Sequence, residues 1–454
     1  MKRLFLLTLL LVPCLLHAQI ITTYAGTGAP GFSGDYGAAT NASFHMPVAV
    51  VTDAYGNLFV TDVVNNRVRK IDKYGTVIPY AGNGNIGAAG DGGQAVDAEF
   101  YGICGLAIDN AGNLCIADQF NNKIRRVDVN TGIITTIAGN GTGGFTGDGG
   151  HATASSLHGP GWITYDNNGN LYISDIGNSR IRRVNPAGII TTVVGNGTIA
   201  YYGDGLQGTA ASLNQPRGLV CDPSGNLYIA DEQNHRIRKL NTTSGIMSTV
   251  AGNGSYVYNG DSLAATAAGM VPEGLRFDAA GNLYYADSST TGSGNRVRAI
   301  TPGGMLFTIA GTGAAGYFGD SLHADTAWLS GPTDMDFDPC GGIFIADAGN
   351  NRIRHITYIT DSACYALGVN NGVENQFNIY PNPANDLLHI DNVTATTHYS
   401  LFNMVGVSVI QGTLQPGTNT ISLGLIAQGI YTLQFAVGAG LAPAPLVQRK
   451  IIKL

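Results

Sequence analysis

The chain has 454 residues, of which 44% are hydrophobic and 12% charged, enough to bury one large core or several, and this excludes a disordered protein. Its 64 glycines lack the three-residue period of collagen and indicate many tight turns between short strands. The formal net charge of −7 excludes binding to nucleic acid through a basic surface.

Residues 1–18 have the pattern of a signal peptide. Two basic residues precede an apolar run, residues 4–16, and the small Ala18 predicts cleavage before Gln19. Removal of this peptide takes away its two basic residues, so 22 of the 24 basic residues remain against 31 acidic ones, and the net charge becomes −9. A lipid on Cys14 is the alternative, disfavoured by the preceding proline. No other run is apolar enough to predict a transmembrane segment.

An internal repeat of about 57 residues occupies most of the chain. A Gly-Asp pair recurs six times, with its aspartate at Asp35, Asp91, Asp148, Asp204, Asp261 and Asp320. A second aspartate keeps the same spacing and ends a short apolar strand at Asp62, Asp118, Asp175, Asp231, Asp287 and Asp347. Six copies of one structural unit are therefore predicted.

One copy, starting at Pro216, reads PRGLVCDPSGNLYIADEQNHRIRKLNTTSGIMSTVAGNG. It contains four predicted strands: GLVCD (strand a), NLYIAD (b), HRIRKL (c) and IMSTV (d). The link between a and b suits a tight hairpin, with Gly225 at positive φ. Four antiparallel strands in each repeat are typical of a propeller blade, lengthened here by the Gly-Asp insertion.

The run P-x-G-L-x-x-D-x-x-G-N-L-Y-I-A-D-x-x-N-x-R-I-R resembles the NHL repeat over residues 20–357. This resemblance implies an all-β fold, a six-bladed β-propeller, which we assign to residues 19–360. The segment Ile20–Gly26 matches strand d of the later copies, whereas the sixth copy leaves the pattern after strand c. We therefore expect the N-terminal strand to complete the last blade and close the ring.

The glycine-rich links spell G-x-G-x-x-G at Gly139, Gly141 and Gly144, but no copy opens a helix inside a βαβ unit, so we interpret them as crossovers between blades rather than dinucleotide sites. The D-x-x-G-N turns lack the ligand spacing of a calcium loop. The recurring arginines of strand c are expected to pair with aspartates. The insertions, with their six aspartates, are expected to crown one rim of the channel, on the same face as the b–c loops.

Features that repeat six times are interpreted as scaffold, and departures from the repeat as functional candidates. On the innermost strands the departures are Trp162, Arg217, Glu273, Arg276, Asp334 and Asp336. They indicate either a polar or metal-assisted site in the channel or an ion pair of Arg276 with Asp336 between neighbouring blades. The ion pair is favoured, because unpaired charge in a narrow channel is costly. The longer b–c loop of blade five, SSTTGSGN, is either a binding loop or a tolerated insertion.

Five cysteines remain after the leader. Cys340 lies between strands a and b of blade six and Cys364 follows strand c, so both should lie at the same end of that blade. We predict a disulfide between them, in an oxidising compartment.

Residues 361–374 are predicted to form a linker, and residues 375–454 a domain of alternating strands. The motifs YPNPANDLLHI, GIYTLQF and QRKIIKL resemble the C-terminal sorting domain of type IX secretion in Bacteroidetes. This resemblance implies a small β-sandwich and recognition by the secretion machinery. It also implies a secreted or outer-membrane surface location after Sec export to the periplasm.

These features favour a binding module that holds a peptide, protein or glycan on the insertion-bearing face. The alternative is a metal-dependent hydrolase or lyase with its site in the channel, because related six-bladed propellers include calcium-dependent lactonases and a zinc-dependent lyase. Only Glu273, Asp334 and Asp336 offer ligands there. No cofactor is expected, and calcium is the metal that this alternative leaves open.

Overall fold

Prolines and side-chain-bonded turns set the strand bounds in each blade. In blade one the innermost strand begins at Pro47. The following turn is closed by Asp53, whose Oδ1 accepts the backbone N–H groups of Tyr55 and Asn57 at 2.9 and 2.8 Å. Gly56 within that turn has φ +80°, which a side chain would strain. The hairpin therefore follows from residue type at each position.

The computed structural model describes residues 19–288, 294–358, 378–380, 387–393, 396–403, 408–424, 429–436 and 446–453. The chain divides into two compact units, Met1–Thr360 and Asp361–Leu454. The signal peptide, the linker, Cys364 and most of the blade-five loop lie outside the described residues. Those features stay predictions.

The first unit is a six-bladed β-propeller, as predicted, and its strands are numbered in chain order. The first strand and blades one to three contain β1 (Gln19–Ala25), β2 (Pro47–Thr52), β3 (Leu58–Asp62), β4 (Arg67–Ile71), β5 (Val77–Ala81), β6 (Ile103–Ile108), β7 (Leu114–Asp118), β8 (Lys123–Val127), β9 (Ile134–Ala138), β10 (Pro160–Tyr165), β11 (Leu171–Asp175), β12 (Arg180–Val184) and β13 (Ile190–Val194). Blades four to six contain β14 (Pro216–Cys221), β15 (Leu227–Asp231), β16 (Arg236–Leu240), β17 (Met247–Ala251), β18 (Leu263–Ala264), β19 (Pro272–Phe277), β20 (Leu283–Asp287), β21 (Arg296–Ile300), β22 (Met305–Ala310), β23 (Leu322–His323), β24 (Pro332–Phe337), β25 (Ile343–Asp347) and β26 (Arg352–Tyr358).

The N-terminal strand closes the ring, as predicted. Strand β1 pairs antiparallel with β26, and the sheet of blade six has the order β23-β1-β26-β25-β24. The register joins Ile20 to Thr357 and Thr22 to His355. Because residues from both ends of the propeller sequence share one sheet, the ring has no open seam between its first and last blades.

Short 3-10 helices form the connections between strands. They span Ala39–Asn41, Ala95–Asp97, Gln119–Asn121, Ala152–Ala154, Ile176–Asn178, Gly208–Ala210, Glu232–Asn234, Ala265–Ala267, Ala324–Thr326 and Ala348–Asn350. Within the described residues, no helix has the length and hydropathy needed to cross a membrane.

The Gly-Asp insertions cover the outer edge of each blade, and the expectation that they crown the channel rim is wrong. In blade one, Ala38 forms a β-bridge with Thr76 beside the outermost strand. In blades five and six, the insertion strands β18 and β23 pair with the outermost strands β22 and β1. The reason is edge protection: each insertion pairs with the strand edge that would otherwise face solvent.

One arginine on the third strand of every blade fastens the insertion to the sheet. In blade three, Arg182 lies 2.8 Å from the insertion residue Asp148 and 3.2 Å from Asp175 at the end of β11. It also donates to the carbonyls of Ser156 and Thr146. The six equivalent arginines, all fully buried, are Arg69, Arg125, Arg182, Arg238, Arg298 and Arg354. All six insertion aspartates are engaged in this way, at the outer part of the blades.

The second unit consists of strands alone in its described part: β27 (Asn378–Tyr380), β28 (Leu387–Val393), β29 (Thr397–Asn403), β30 (Ser408–Leu414), β31 (Gly417–Ser422), β32 (Gly429–Ala436) and β33 (Leu446–Lys453). They form two antiparallel sheets, β27-β28-β31 and β30-β29-β32-β33. Leu388 and Ile421 on the first sheet and Leu401 and Leu433 on the second are buried. This is the two-sheet arrangement expected of the small β-sandwich.

Replacing a strand-c arginine should destabilise the propeller. In Arg125→Met the buried Asp118 loses its charged partner, and we expect the free energy of unfolding to fall by about 3–5 kcal/mol. Arg126→Met is the matched control, because that neighbouring side chain is 41% exposed and 3.9 Å from Asp109, so a change of less than about 1 kcal/mol is expected. Denaturant unfolding measures both, and equal losses would contradict this role of the buried arginine.

Candidate functional site

The channel opens on the face where the second strands end and the third strands begin, called here the upper face. Arg217, on the inner strand of blade four, lies between two carboxylates at this mouth. Its Nε is 2.6 Å from Glu232, and its Nη1 is 3.4 Å from Glu273 of blade five. The Arg217 side chain is 30% exposed, whereas both glutamates are buried. The mouth therefore presents one accessible guanidinium flanked by the carboxyl groups of Glu232 and Glu273.

The carboxyl of Glu273 is strongly perturbed. Its pKa is raised to about 8, chiefly by burial and in addition by Glu232 and Asp334, against the opposing effect of Arg217. Its Oε2 has no hydrogen-bond partner among the described residues. At neutral pH this group therefore favours the protonated form, which removes one negative charge from the channel.

Arg276 binds the two aspartates of blade six. Its Nη2 is 3.3 Å from Asp334, and its Nε is 3.2 Å from Asp336. The same carboxylates accept the backbone N–H groups of Val50 and Thr52 in blade one, at 3.2 and 2.7 Å. This cluster joins blades five, six and one.

The arrangement does not fit a calcium or zinc site. Arg276 bonds both carboxylates, and backbone N–H groups of blade one occupy Asp334 Oδ2 and Asp336 Oδ2, while Asp334 Oδ1 has no hydrogen-bond partner among the described residues. Within the described residues, no group of three or more histidine, cysteine, aspartate or glutamate side chains is placed to hold a metal ion.

Trp162 is buried rather than accessible. Only 3% of the residue is exposed, and the Arg217 guanidinium lies 5.3 Å from its ring centroid. Its indole Nε1 has no acceptor among the described residues. Trp162 and Arg217 therefore pack together between blades three and four, while Arg276, Asp334 and Asp336 lie on the opposite side of the ring.

A cavity between blades two and three was missed by the sequence reasoning. Its volume is about 360 Å³, within the range of about 300–1,000 Å³ of small-molecule sites. It opens on the upper face, between the b–c connections of the two blades. Besides three glycines, its walls consist of Gln119, Phe120, Asn122, His158 and Ile176.

Three glycines of blade three create this cavity. At the aligned positions the six copies carry Pro30, Ile86, Gly143, Ile199, Tyr256 and Ala315; then Met46, Gly102, Gly159, Gln215, Val271 and Gly331; then Val64, Phe120, Gly177, Gln233, Ser289 and Gly349. Blade three alone has glycine at all three. Blade six comes nearest, with Ala315 at the first position. Blade three therefore has no side chain at any of the three positions that border the cavity.

An aromatic pair borders the cavity. Phe120 is 57% exposed, and its ring centroid lies 4.8 Å from that of Tyr101. A side chain at Gly102 would collide with the Phe120 ring, so this glycine lets the ring lie flat over the backbone. Blade two alone carries aromatic residues at these two positions. The pair provides a rigid, accessible apolar surface.

Polar groups face the cavity beside this surface. Gln119 Oε1 accepts from Cys104 Sγ at 3.3 Å, and neither its Nε2 nor the His158 ring has a hydrogen-bond partner among the described residues. A Cβ on Gly177 would lie 2.6 Å from Cγ of His158, so that glycine leaves room for the imidazole. The cavity thus combines an aromatic surface with two polar side chains that have unused hydrogen-bonding capacity.

Family models match three parts of the chain. Residues 378–448 match a secretion system C-terminal sorting domain, residues 213–240 the NHL repeat, and residues 142–202 the teneurin NHL domain. Both resemblances seen in the sequence are confirmed.

Two curated relatives match part of the chain. Protein SUPPRESSOR OF QUENCHING 1, chloroplastic, of Arabidopsis thaliana is 30% identical over 291 residues, which cover 60% of this chain and 27% of that protein. Teneurin-1 of Homo sapiens is 27% identical over 284 residues, covering 57% and 10%. The chain thus spans about a quarter or less of the length of these relatives.

Solved structures share the fold. Auxiliary nutrient binding proteins of Bacteroides thetaiotaomicron and Bacteroides ovatus superpose with TM-scores of 0.56 and 0.55, each at 18% identity over 75% of this chain and 77% of theirs. A putative phosphatase of Bacteroides thetaiotaomicron gives 0.55 at 14% identity, over 76% and 80%. At such identities the likeness concerns the fold alone.

Stability should depend on pH through Glu273. Its folded-state pKa of about 8 lies above the ordinary 4.5, so between these values the folded state holds a proton that the unfolded state has released. Stability therefore decreases as pH rises through that window, by up to about 1.4 kcal/mol per pH unit for one proton. Glu273→Gln should flatten the curve of unfolding free energy against pH. Parallel curves for the variant and the original protein would show that Glu273 ionises normally.

Proposed function

We propose that this chain, a six-bladed NHL-repeat propeller with a type IX secretion sorting domain, is an exported binding protein whose ligand occupies the cavity between blades two and three. The carrying observation is the coincidence of Gly143, Gly159 and Gly177 in one blade. These glycines leave space on blade three, and the neighbouring blade two supplies the aromatic pair Tyr101 and Phe120. A scaffold requirement would apply to all six blades, so this coincidence is better explained by a ligand.

The sequence predicts that the ligand binds on the insertion-bearing face, and the cavity gives a more specific position on that face. The start and end of each insertion border the upper face, and both contribute to the cavity through Gly143 and Gly159. The middle of each insertion lies on the outer edge of its blade and carries its aspartate away from the channel. Ligand binding therefore depends on loop ends and b–c connections rather than on the six insertion aspartates.

A hydrolase or lyase in the channel is the weaker alternative. Its candidate carboxylates are held by Arg217 and Arg276. Two nutrient binding proteins share the fold, which agrees with a binding role. Their sequence identity to this chain is too low for the proposal to rest on them. The proposed binding site is supported by the cavity that this chain's own residues form.

The sorting domain supports export by the type IX machinery. In our proposal the signal peptide directs Sec export to the periplasm, and the C-terminal domain is then recognised at the outer membrane. The propeller functions outside the cell, released or held at the surface.

Filling the cavity should abolish binding without unfolding the ring. We expect Gly143→Ile to be tolerated, because Ile86 and Ile199 occupy the same position and form the same β-bridge in blades two and four. Its Cβ would have no neighbour closer than 3.6 Å, and the side chain would project among Asn122 and His158. Ala315→Ile, at the equivalent position of blade six, is the control.

The measurement is an array that carries peptides and glycans together, probed with the full chain and both variants. Signals lost in Gly143→Ile and kept in Ala315→Ile are the expected result. Equal signals from all three proteins would place binding elsewhere and contradict the proposed site.

Export should depend on the tail. A chain ending at residue 374, expressed in a bacterium with a type IX system, should accumulate in the periplasm, because the machinery no longer recognises it. Immunoblots of periplasm, cell surface and medium measure its location. Unchanged export of the shortened chain would contradict the role of the sorting domain.

A further inference from the structure

We propose that the cavity between blades two and three binds a neutral carbohydrate, with one sugar ring lying on Phe120. This inference rests on the binding role proposed above and adds the chemical class of the ligand. It follows from three properties of the described residues: the charge of the cavity, the state of the strand edges, and the placement of polar groups around the aromatic surface.

The cavity carries no charged side chain. All eight of its lining residues are glycine, apolar, amide or imidazole residues. The exposed guanidinium of Arg217 lies on the inner strand of blade four and already has Glu232 and Glu273 as partners. A phosphate, a carboxylate or an ammonium group would lose its hydration here without gaining a counter-ion, and such a loss is costly. A neutral ligand is therefore favoured.

The strand edges of the ring are occupied, which disfavours an extended peptide. Outermost strands are covered by the insertions in every blade, as the bridges Gln94 to Ile133 and His151 to Ile189 show for blades two and three. Backbone donors at the cavity itself are also used: Gly159 donates to Asn122 Oδ1 and Gly177 to the carbonyl of His158. A peptide gains much of its affinity by pairing its backbone with a free edge, and none is offered here. Recognition must rely on side chains.

The side chains match a sugar ring. A pyranose has an apolar face of C–H groups and an edge of hydroxyl groups, so it needs an aromatic surface with hydrogen-bonding groups beside it. Phe120 supplies that surface, held by Tyr101 beside it and Gly102 beneath. Gln119 Nε2 donates, and the imidazole of His158 both donates and accepts, at the rim of the same cavity. No equivalent set occurs in the other copies, which have Val64, Gly177, Gln233, Ser289 and Gly349 at the position of Phe120.

Calorimetric titration of the full chain tests this assignment. The probes are cellohexaose, maltohexaose, xylohexaose and mannohexaose as neutral sugars, hexagalacturonic acid as an acidic sugar, and a Gly-Ser peptide with one central phenylalanine. We expect at least one neutral hexasaccharide to bind and both other probes to bind at least about tenfold more weakly. Affinity should be nearly independent of salt, because no ion pair forms.

Substitutions at two exposed positions, Phe120 and Val64, separate the site from the fold. Phe120→Ala should weaken sugar binding about tenfold or more, Phe120→Trp should retain it, and Val64→Ala, at the same position in blade one, should leave it unchanged. Absence of binding to every neutral sugar overturns the carbohydrate class, as does preference for the peptide or the acidic sugar. Gly143→Ile-sensitive signals on the array would in that case still support the binding role. Sugar binding unaffected by Phe120→Ala overturns the site.

Discussion

The propeller depends on a buried arginine that has to be neutralised in each blade. A guanidinium removed from water is tolerated only when carboxylates and carbonyls surround it. Here the partners come from two stretches: the insertion, as in Asp148, 34 residues before Arg182, and the end of the second strand, as in Asp175, seven residues before it. Arginine and insertion aspartate are 34 residues apart in five blades and 37 in blade five, yet Arg298 still lies 3.0 Å from Asp261. The pairing is therefore kept when the separation of the two residues changes.

This pairing has a consequence for function. By fastening the insertion along the outermost strand, it removes the free edge that a propeller blade otherwise presents to solvent. The inner strands are packed around the channel, where Gly105 and Gly218 have no room for a Cβ. The loops of the upper face and the side chains on them stay available for specific recognition. Both candidate regions, the charged channel mouth and the uncharged cavity, lie there.

Departures from the sixfold pattern fall into two kinds. Arg276, Asp334 and Asp336 depart from the repeat, but they bind one another and the backbone of blade one, so their departure strengthens the ring where it closes. The glycines of blade three and the aromatic pair of blade two depart in the opposite sense, because they expose surface. The polarity of the substituted residues does not by itself distinguish these two kinds of departure. A departure that is satisfied internally is structural, whereas one that leaves space and accessible groups points to a ligand.

The sequence by itself determined the repeats, the four strands of each blade, the closure by the N-terminal strand and the sorting domain. Each of these depends on local periodicity, turn residues or motif spacing, which a chain displays without folding. It also suggested that Arg276 would pair with Asp336, since charge in a channel needs a partner. Tertiary structure alone decided that the insertions cover outer edges and that each arginine has two aspartate partners. It alone brought Gly143, Gly159 and Gly177 to one cavity beside Phe120 of another blade. These features depend on distances between loops that are remote in sequence, and only the packing of neighbouring blades sets those distances.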